Sequence, residues 1–207
     1  AGMGENKSNI YKTVLISEEQ KSKWITAGGD PNKSIIIPVP VEVPNYGLES
    51  YIKEFGWEDK FVFGMHQRDD IHIFSPVPLE AYDEIQSEDT AFLILGGSAN
   101  HRKQAKDYQL KNVKFLDTTS DISLIHKFLN TLDVYAHGRS DGEQCSSAII
   151  EGLSHSLPMI SHTAVSMGQL EQIGNAGVVV DGYEDYAQAM KKMMNNKNFY
   201  VECKLNA

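Results

Sequence analysis

The chain has 207 residues, 41% hydrophobic and 23% charged, with a formal net charge of −9. That length holds one complete domain and a piece of a second, since domains commonly run about 100–200 residues, and no apolar run approaches the ~18–20 residues of a membrane span. The acidic balance argues against a nucleic-acid partner, which favours a basic face, and no Cys/His pattern has zinc-ligand spacing, so the expected partner is a small molecule.

Ala1 to Lys7 lack the apolar stretch of a secretory signal and read as a cloning remnant or a frayed linker. Thr13 to Ser17 is a short β-rich run, followed by a helix over Glu18 to Gly28 that ends at a Gly-Gly pair. Next, Pro38, Pro40 and Pro44 rule out a central strand, so Pro38 to Gly47 reads as a stiff connector and marks a domain boundary, with residues 1–44 in one unit and 45–207 in another.

Beyond the connector, strand and helix alternate. Phe61 to Gly64 precedes a helix near Pro76 to Ser87, and Ala91 to Leu95 precedes one at His101 to Leu110. Val113 to Leu116 leads to Ile122 to Leu132, and Val134 to Ala136 leads to Cys145 to His155. Met159 to Ser161 comes before a helix near Met167 to Ile173, and Gly177 to Val180 before Tyr183 to Met194. Successive β-α units force parallel pairing through right-handed helical crossovers. The expected fold is α/β: a doubly wound, mostly parallel Rossmann-like sheet of about six strands with helices on both faces.

In such a sheet ligands bind outside the carboxyl ends of the strands. The three arginines, Arg68, Arg102 and Arg139, each follow a strand, as do His66, His137, Asp117 and Thr118. A guanidinium fork suits phosphate oxygens, though loop arginines are equally read as solvated. The main signal is Glu143-Gln-Cys-Ser-Ser-Ala-Ile-Ile-Glu151, two glutamates with seven residues between them around a helix start. At about 1.5 Å per residue they stand roughly 12 Å apart along the axis. The amides near Gln144, Cys145, Ser146 and Ser147 would favour a diphosphate between them.

This Glu-x7-Glu, placed after a strand and a Gly-containing loop and before Pro158 and an apolar strand, resembles the retaining glycosyltransferases of family four, which have the two-domain B-type fold. The resemblance runs from Thr13 to Met194 and makes the early part look like the end of an acceptor domain with its hinge. It implies a donor-binding domain for a UDP- or GDP-sugar, transferring the sugar with retention to a saccharide or lipid-linked acceptor. It implies Glu143 against the donor sugar and the charge at its anomeric carbon, and Glu151 on the ribose hydroxyls. Gly64 marks the family's glycine after the first strand; Met65 stands where arginine usually follows, so Arg68 is the substitute on the leaving diphosphate, with Arg139 or Arg102 as helpers. The family's Glu-x-Phe-Gly is here Glu143-Gln-Cys-Ser. The resemblance further implies no cofactor and no metal, in keeping with the lack of an Asp-x-Asp, and peripheral membrane contact only through the missing domain. Base selection falls to the loop around Leu116 to Thr119.

Plainer readings stand beside these. Glu143 is also a helix-start carboxylate favoured by the dipole, Glu151 a solvated helix face, and His137 a satisfied strand-end histidine. Cys145 is read as a small packed residue, without partners to activate it. Cys145 and Cys203 suggest no disulfide framework and fit a reducing, cytoplasmic setting. Gly96-Gly97 lacks the later glycine of a dinucleotide fingerprint. Two other functions share these residues: a non-catalytic nucleotide-sugar-binding module and a nucleotide-sugar epimerase.

Overall fold

The computed structural model describes residues 11–41 and 47–207. The tail Ala1 to Lys7 and the boundary expected between residues 44 and 45 lie outside these residues.

The first unit is small. Strand β1 (Thr13–Leu15) and strand β2 (Ser34–Ile36) pair in parallel across helix α1 (Glu18–Thr26). Ser17 caps α1 by accepting the Gln20 N–H, and the helix stops two residues before the expected Gly28. The prolines after β2 leave it only three residues long, as their missing N–H groups require.

The second unit follows a short helix, α2 (Ile52–Phe55). Its sheet holds β3 (Phe61–Gln67), β4 (Thr90–Gly96), β5 (Val113–Leu116), β6 (Val134–Ala136), β8 (Met159–His162) and β10 (Gly177–Val180), in the order β10-β8-β6-β3-β4-β5 and parallel throughout. The chain runs outward from β3 to β5, then returns to the other side of β3 and runs outward again. With right-handed crossovers that reversal places helices on both faces, and it creates a topological switch point between β3 and β6. The crossovers are α3 (Val77–Asp83), α4 (Ala99–Asp107), α5 (Ile122–Leu129), α6 (Ser147–Ser154) and α7 (Gly168–Ile173), and α8 (Gly182–Asn195) follows the last strand.

Covered on both faces, the central strands read as continuous apolar runs rather than alternating ones. Every residue of β4 is buried, and Phe63, Phe92, Leu93, Val134, Tyr135 and Ile160 are wholly enclosed. Helix starts are fixed by side chains that accept the orphan N–H groups: Asp121 caps α5, and Ser98 with His101 forms a reciprocal pair at α4.

Several boundaries differ from expectation. Strand β3 extends three residues beyond Gly64, which carries His66 and Gln67 into the sheet. Helix α6 begins at Ser147 instead of Cys145, because Ser146 is its cap. The preceding Gly142–Glu143 (β7) pairs with Ser166–Met167 (β9) in a two-stranded ribbon, and a last helix, α9 (Lys197–Asn206), packs beside α8. Neither the ribbon nor α9 was expected.

Candidate functional site

The carboxyl ends of β3 and β6 and the start of α6 enclose a cleft of about 430 Å³ at the switch point. Of the expected site residues, Glu143, Glu151, Arg68, Arg139, His137, Cys145, Ser146 and Ser147 line it. Both glutamates therefore face one space.

The loop carrying Glu143 is held from behind by α7. The Gln169 side chain accepts the Glu143 N–H at 3.1 Å, and the Gln172 side chain accepts the Ser146 N–H at 2.7 Å and donates to the Ser146 carbonyl at 3.2 Å. Gly142 has φ +71 and an added Cβ would sit 1.9 Å from the Ser166 carbonyl oxygen, so only glycine permits this ribbon. Ser146 Oγ accepts the Ile149 N–H. The Ser147 and Ala148 N–H groups have no partner among the described residues and border the cleft. Two amides at the positive end of an eight-residue helix make a place for an anion.

The charges around this place are already partly matched. Arg68 Nη2 lies 3.2 Å from Asp70 Oδ2. The His72 N–H, and after it the Arg68 guanidinium, hold the Asp70 carboxyl below the usual range. Arg139 grips Asp141, which holds the guanidinium pKa up and is itself held down by Arg139. Arg68 is two-thirds exposed, at 67%, whereas Arg139 is 21% exposed, so the second is the more firmly placed. His137 is buried; its Nδ1 meets Ser161 Oγ at 2.9 Å, while its Nε2 has no hydrogen-bond partner among the described residues and lies 3.7 Å from Glu143 Oε1.

On the opposite wall Glu151 Oε2 meets His66 Nε2 at 2.7 Å. His66 packs edge-on against Tyr135 and Phe128. Burial pushes the enclosed Tyr135 phenol well above its ordinary pKa.

Other expected residues lie elsewhere. Gly64 is inside β3, where an added Cβ would meet Leu132 and the Leu93 carbonyl at 2.5 Å; it serves packing and does not reach the cleft. Gln144 turns its side chain toward Gln20 of α1. Thr118 lines an adjoining hollow of about 160 Å³ with His66, Gln67, Leu95 and Thr119, and Asp117 lines neither space. Arg102 donates to the Gly96 carbonyl and lies over the Phe115 ring, away from the cleft. Tyr135, Ile73, Ile125, Gln169 and Gln172 were not foreseen. A strand residue with a polar tip, like Tyr135, and glutamines at i and i+3 on the next helix are the signals that could have found three of them.

Known proteins share this fold. No curated protein matches the sequence, but the family model of glycosyl transferases group 1 matches residues 63–196. Among solved structures, Anabaena HepE in complex with UDP superposes with a TM-score of 0.81 at 17% identity, over 95% of this chain and 57% of that one. Sucrose-phosphate synthase from Thermosynechococcus elongatus gives 0.73 at 15%, over 93% and 51%. WaaG, a glycosyltransferase involved in lipopolysaccharide biosynthesis, gives 0.72 at 14%, over 94% and 56%. The chain thus spans a little over half the length of these structures and shares their Rossmann-like fold. No helix among the described residues is long and apolar enough to cross a membrane. With the family model running from β3 to the end of α8, the chain belongs to the group 1 glycosyltransferases.

Proposed function

We propose that this chain is the donor-binding half of a retaining glycosyltransferase that uses a UDP- or GDP-sugar. The observation that carries the reading is the shared cleft: Glu143, Glu151 and the open amides of Ser147 and Ala148 border one space beside Arg68 and Arg139. HepE holds UDP and UDP-glucose in solved structures, which supports a uridine diphosphate donor here.

In this reading the diphosphate lies across the Ser147 and Ala148 amides, with Arg139 and Arg68 on its outer oxygens. Bond cleavage at the anomeric carbon builds negative charge on the departing phosphate, where preorganised donors act most strongly. Glu143, oriented by Arg139, faces the sugar and offsets the positive charge on its ring. Glu151 accepts from the ribose hydroxyls. The acceptor hydroxyl attacks on the face the diphosphate leaves and gives its proton to the departing phosphate oxygen, so configuration is retained, and that acceptor, a saccharide or a lipid-linked one, belongs to the other half of the enzyme. The reaction asks for no metal or cofactor. The free Cys145 and Cys203 support a reducing, cytoplasmic setting.

Calorimetry of the chain with UDP, GDP and their hexose conjugates tests this directly. Micromolar binding of one nucleotide that falls at least ten-fold in Glu151→Ala, with the fold intact by circular dichroism, is the expected result. Unchanged affinity in that variant would remove the assignment.

A second reading, a binding module without turnover, is favoured by one observation. Met65, in the position where the resembled family has arginine, is buried, and both remaining cleft arginines already have aspartate partners. A transfer assay on protein carrying both halves separates the two.

A further inference from the structure

The Glu151 carboxylate is not free to turn. One oxygen is held by His66 Nε2 at 2.7 Å, and His66 is held in turn by Tyr135, whose hydroxyl lies 3.1 Å from His66 Nδ1 and 3.3 Å from both the His66 N–H and carbonyl. The two rings meet edge to face with centroids 5.5 Å apart, and Phe128 closes the far side of the imidazole at 5.7 Å. The His66 side chain is 15% exposed and that of Glu151 30%. No hydrogen bond joins the other oxygen of Glu151, Oε1, to a described residue, and the His126 and His155 imidazoles lie within electrostatic reach of the carboxylate.

The Tyr135 hydroxyl has one proton and two acceptors in reach, Nδ1 at 3.1 Å and the His66 carbonyl at 3.3 Å; donation to the nearer, Nδ1, leaves the imidazole proton on Nε2, pointed at Glu151. Imidazole geometry is commonly fixed in this way, by the bond its other nitrogen makes. We propose that His66 is a positioning residue: Tyr135 and His66 together lock one oxygen of Glu151 so that the other faces the cleft, ready for a ligand diol. The inference rests on the nucleotide-sugar reading and deepens it, since it assigns the rigidity of the ribose contact to a strand residue outside the two-glutamate motif. The site then recognises adjacent hydroxyls through a preset acceptor. Glu151 sits on a helix and would otherwise lose side-chain freedom at each binding event, at a cost in affinity.

Two substitutions separate positioning from packing. His66→Phe keeps the ring against Tyr135 and Phe128 but removes the N–H; His66→Gln removes the ring and returns an N–H near the Nε2 position. Calorimetry on the chain uses UDP and 2′,3′-dideoxy-UDP. Under the proposal His66→Phe weakens UDP about ten-fold and dideoxy-UDP less than two-fold, whereas His66→Gln stays within about three-fold of the parent for both. If Phe binds UDP like the parent, or if Gln is the weaker of the two, the ring is there for packing and the proposal is overturned. Nitrogen-15 spectra give a ligand-independent check: an Nε2–H tautomer at His66 supports the lock, and an Nδ1–H tautomer ends it. A parent chain that binds neither UDP nor GDP removes the nucleotide reading and the diol role with it. Binding by the parent with no difference between UDP and dideoxy-UDP removes the diol role alone.

Discussion

Arg139 Nη1 lies 3.3 Å from Glu143 Oε1, one turn of loop away, while the Nε and Nη2 of the same guanidinium hold both oxygens of Asp141. One cation at the cleft wall thus bridges two carboxylates and orients Glu143. His137 Nε2 lies 3.7 Å from the same Glu143 oxygen, beyond hydrogen-bond distance, so Arg139 is the group that orients this carboxylate.

Glu143→Gln should separate binding from chemistry. The amide keeps the shape and loses the negative charge opposite the sugar ring. UDP affinity should stay within about three-fold of the parent, while transfer by protein carrying both halves falls by roughly 10²-fold or more, the scale of losing one preorganised electrostatic group. Calorimetry and a transfer assay read the two quantities, and a fall in both by equal factors would place Glu143 in ground-state binding.

Asp141→Asn should tighten nucleotide diphosphate binding. The Asp141 carboxylate holds the Nε and Nη2 of Arg139, where it would compete with a bound phosphate. Removing it frees the Nε and Nη2 edge, with Nη1 still on Glu143, and UDP affinity at low ionic strength should rise about three-fold, with a steeper fall as salt is added. An unchanged salt dependence would show that Arg139 does not meet the diphosphate.

Gly142→Ala should disturb the site from below. The new Cβ would meet the Ser166 carbonyl at a backbone φ of +71, so the ribbon of β7 and β9 must open. The strain costs about 1–3 kcal/mol, measurable by urea denaturation, and UDP affinity should fall with it because the Glu143 N–H loses its fixed approach to Gln169. Parent-like stability would mean that the ribbon is not rigid.

Stability should decline in mild acid through His101. Burial, with help from the Arg102 charge, pushes this imidazole from the ordinary 6.5 down to about 4, and its Nδ1 accepts the Ser98 N–H at 3.0 Å. The unfolded chain takes up the proton first, so the stabilisation is complete above about pH 6.5 and drains away as the pH falls toward about 4. The loss is on the order of 3 kcal/mol. His101→Asn keeps an acceptor for the cap and removes the titration; denaturation midpoints between pH 7 and 4.5 should then slope less steeply than in the parent. Equal slopes would put the acid sensitivity elsewhere.

The sheet was legible because its strands are buried on both faces: Ala91 to Leu95 and Val134 to Ala136 announce themselves as unbroken apolar runs. Gly142–Glu143 and Ser166–Met167 did not, since two-residue strands have no period to detect. The two-glutamate spacing named residues that border the cleft, and the strand-end position named His66; its bond to Glu151 was not legible, because β3 continues past Gly64 through Met65 into polar residues that read as loop. The pairing of Arg68 with Asp70 and of Arg139 with Asp141 follows a shared Arg-x-Asp spacing in the sequence. Its effect on charge needed coordinates, because an aspartate two residues along can equally point away.

Helix α1 touches the loop at the heart of the cleft. The Glu19 carboxylate accepts the Met167 N–H at 2.9 Å, directly across the ribbon from Glu143, and Gln20 reaches Gln144 at 3.3 Å. If a nucleotide shifts Glu143, those grips tighten or slacken, and reciprocity requires that whatever displaces α1 alter the hold on the nucleotide by the same free energy. Helix α1 is therefore mechanically in series with the cleft, and a displacement of one should be felt at the other.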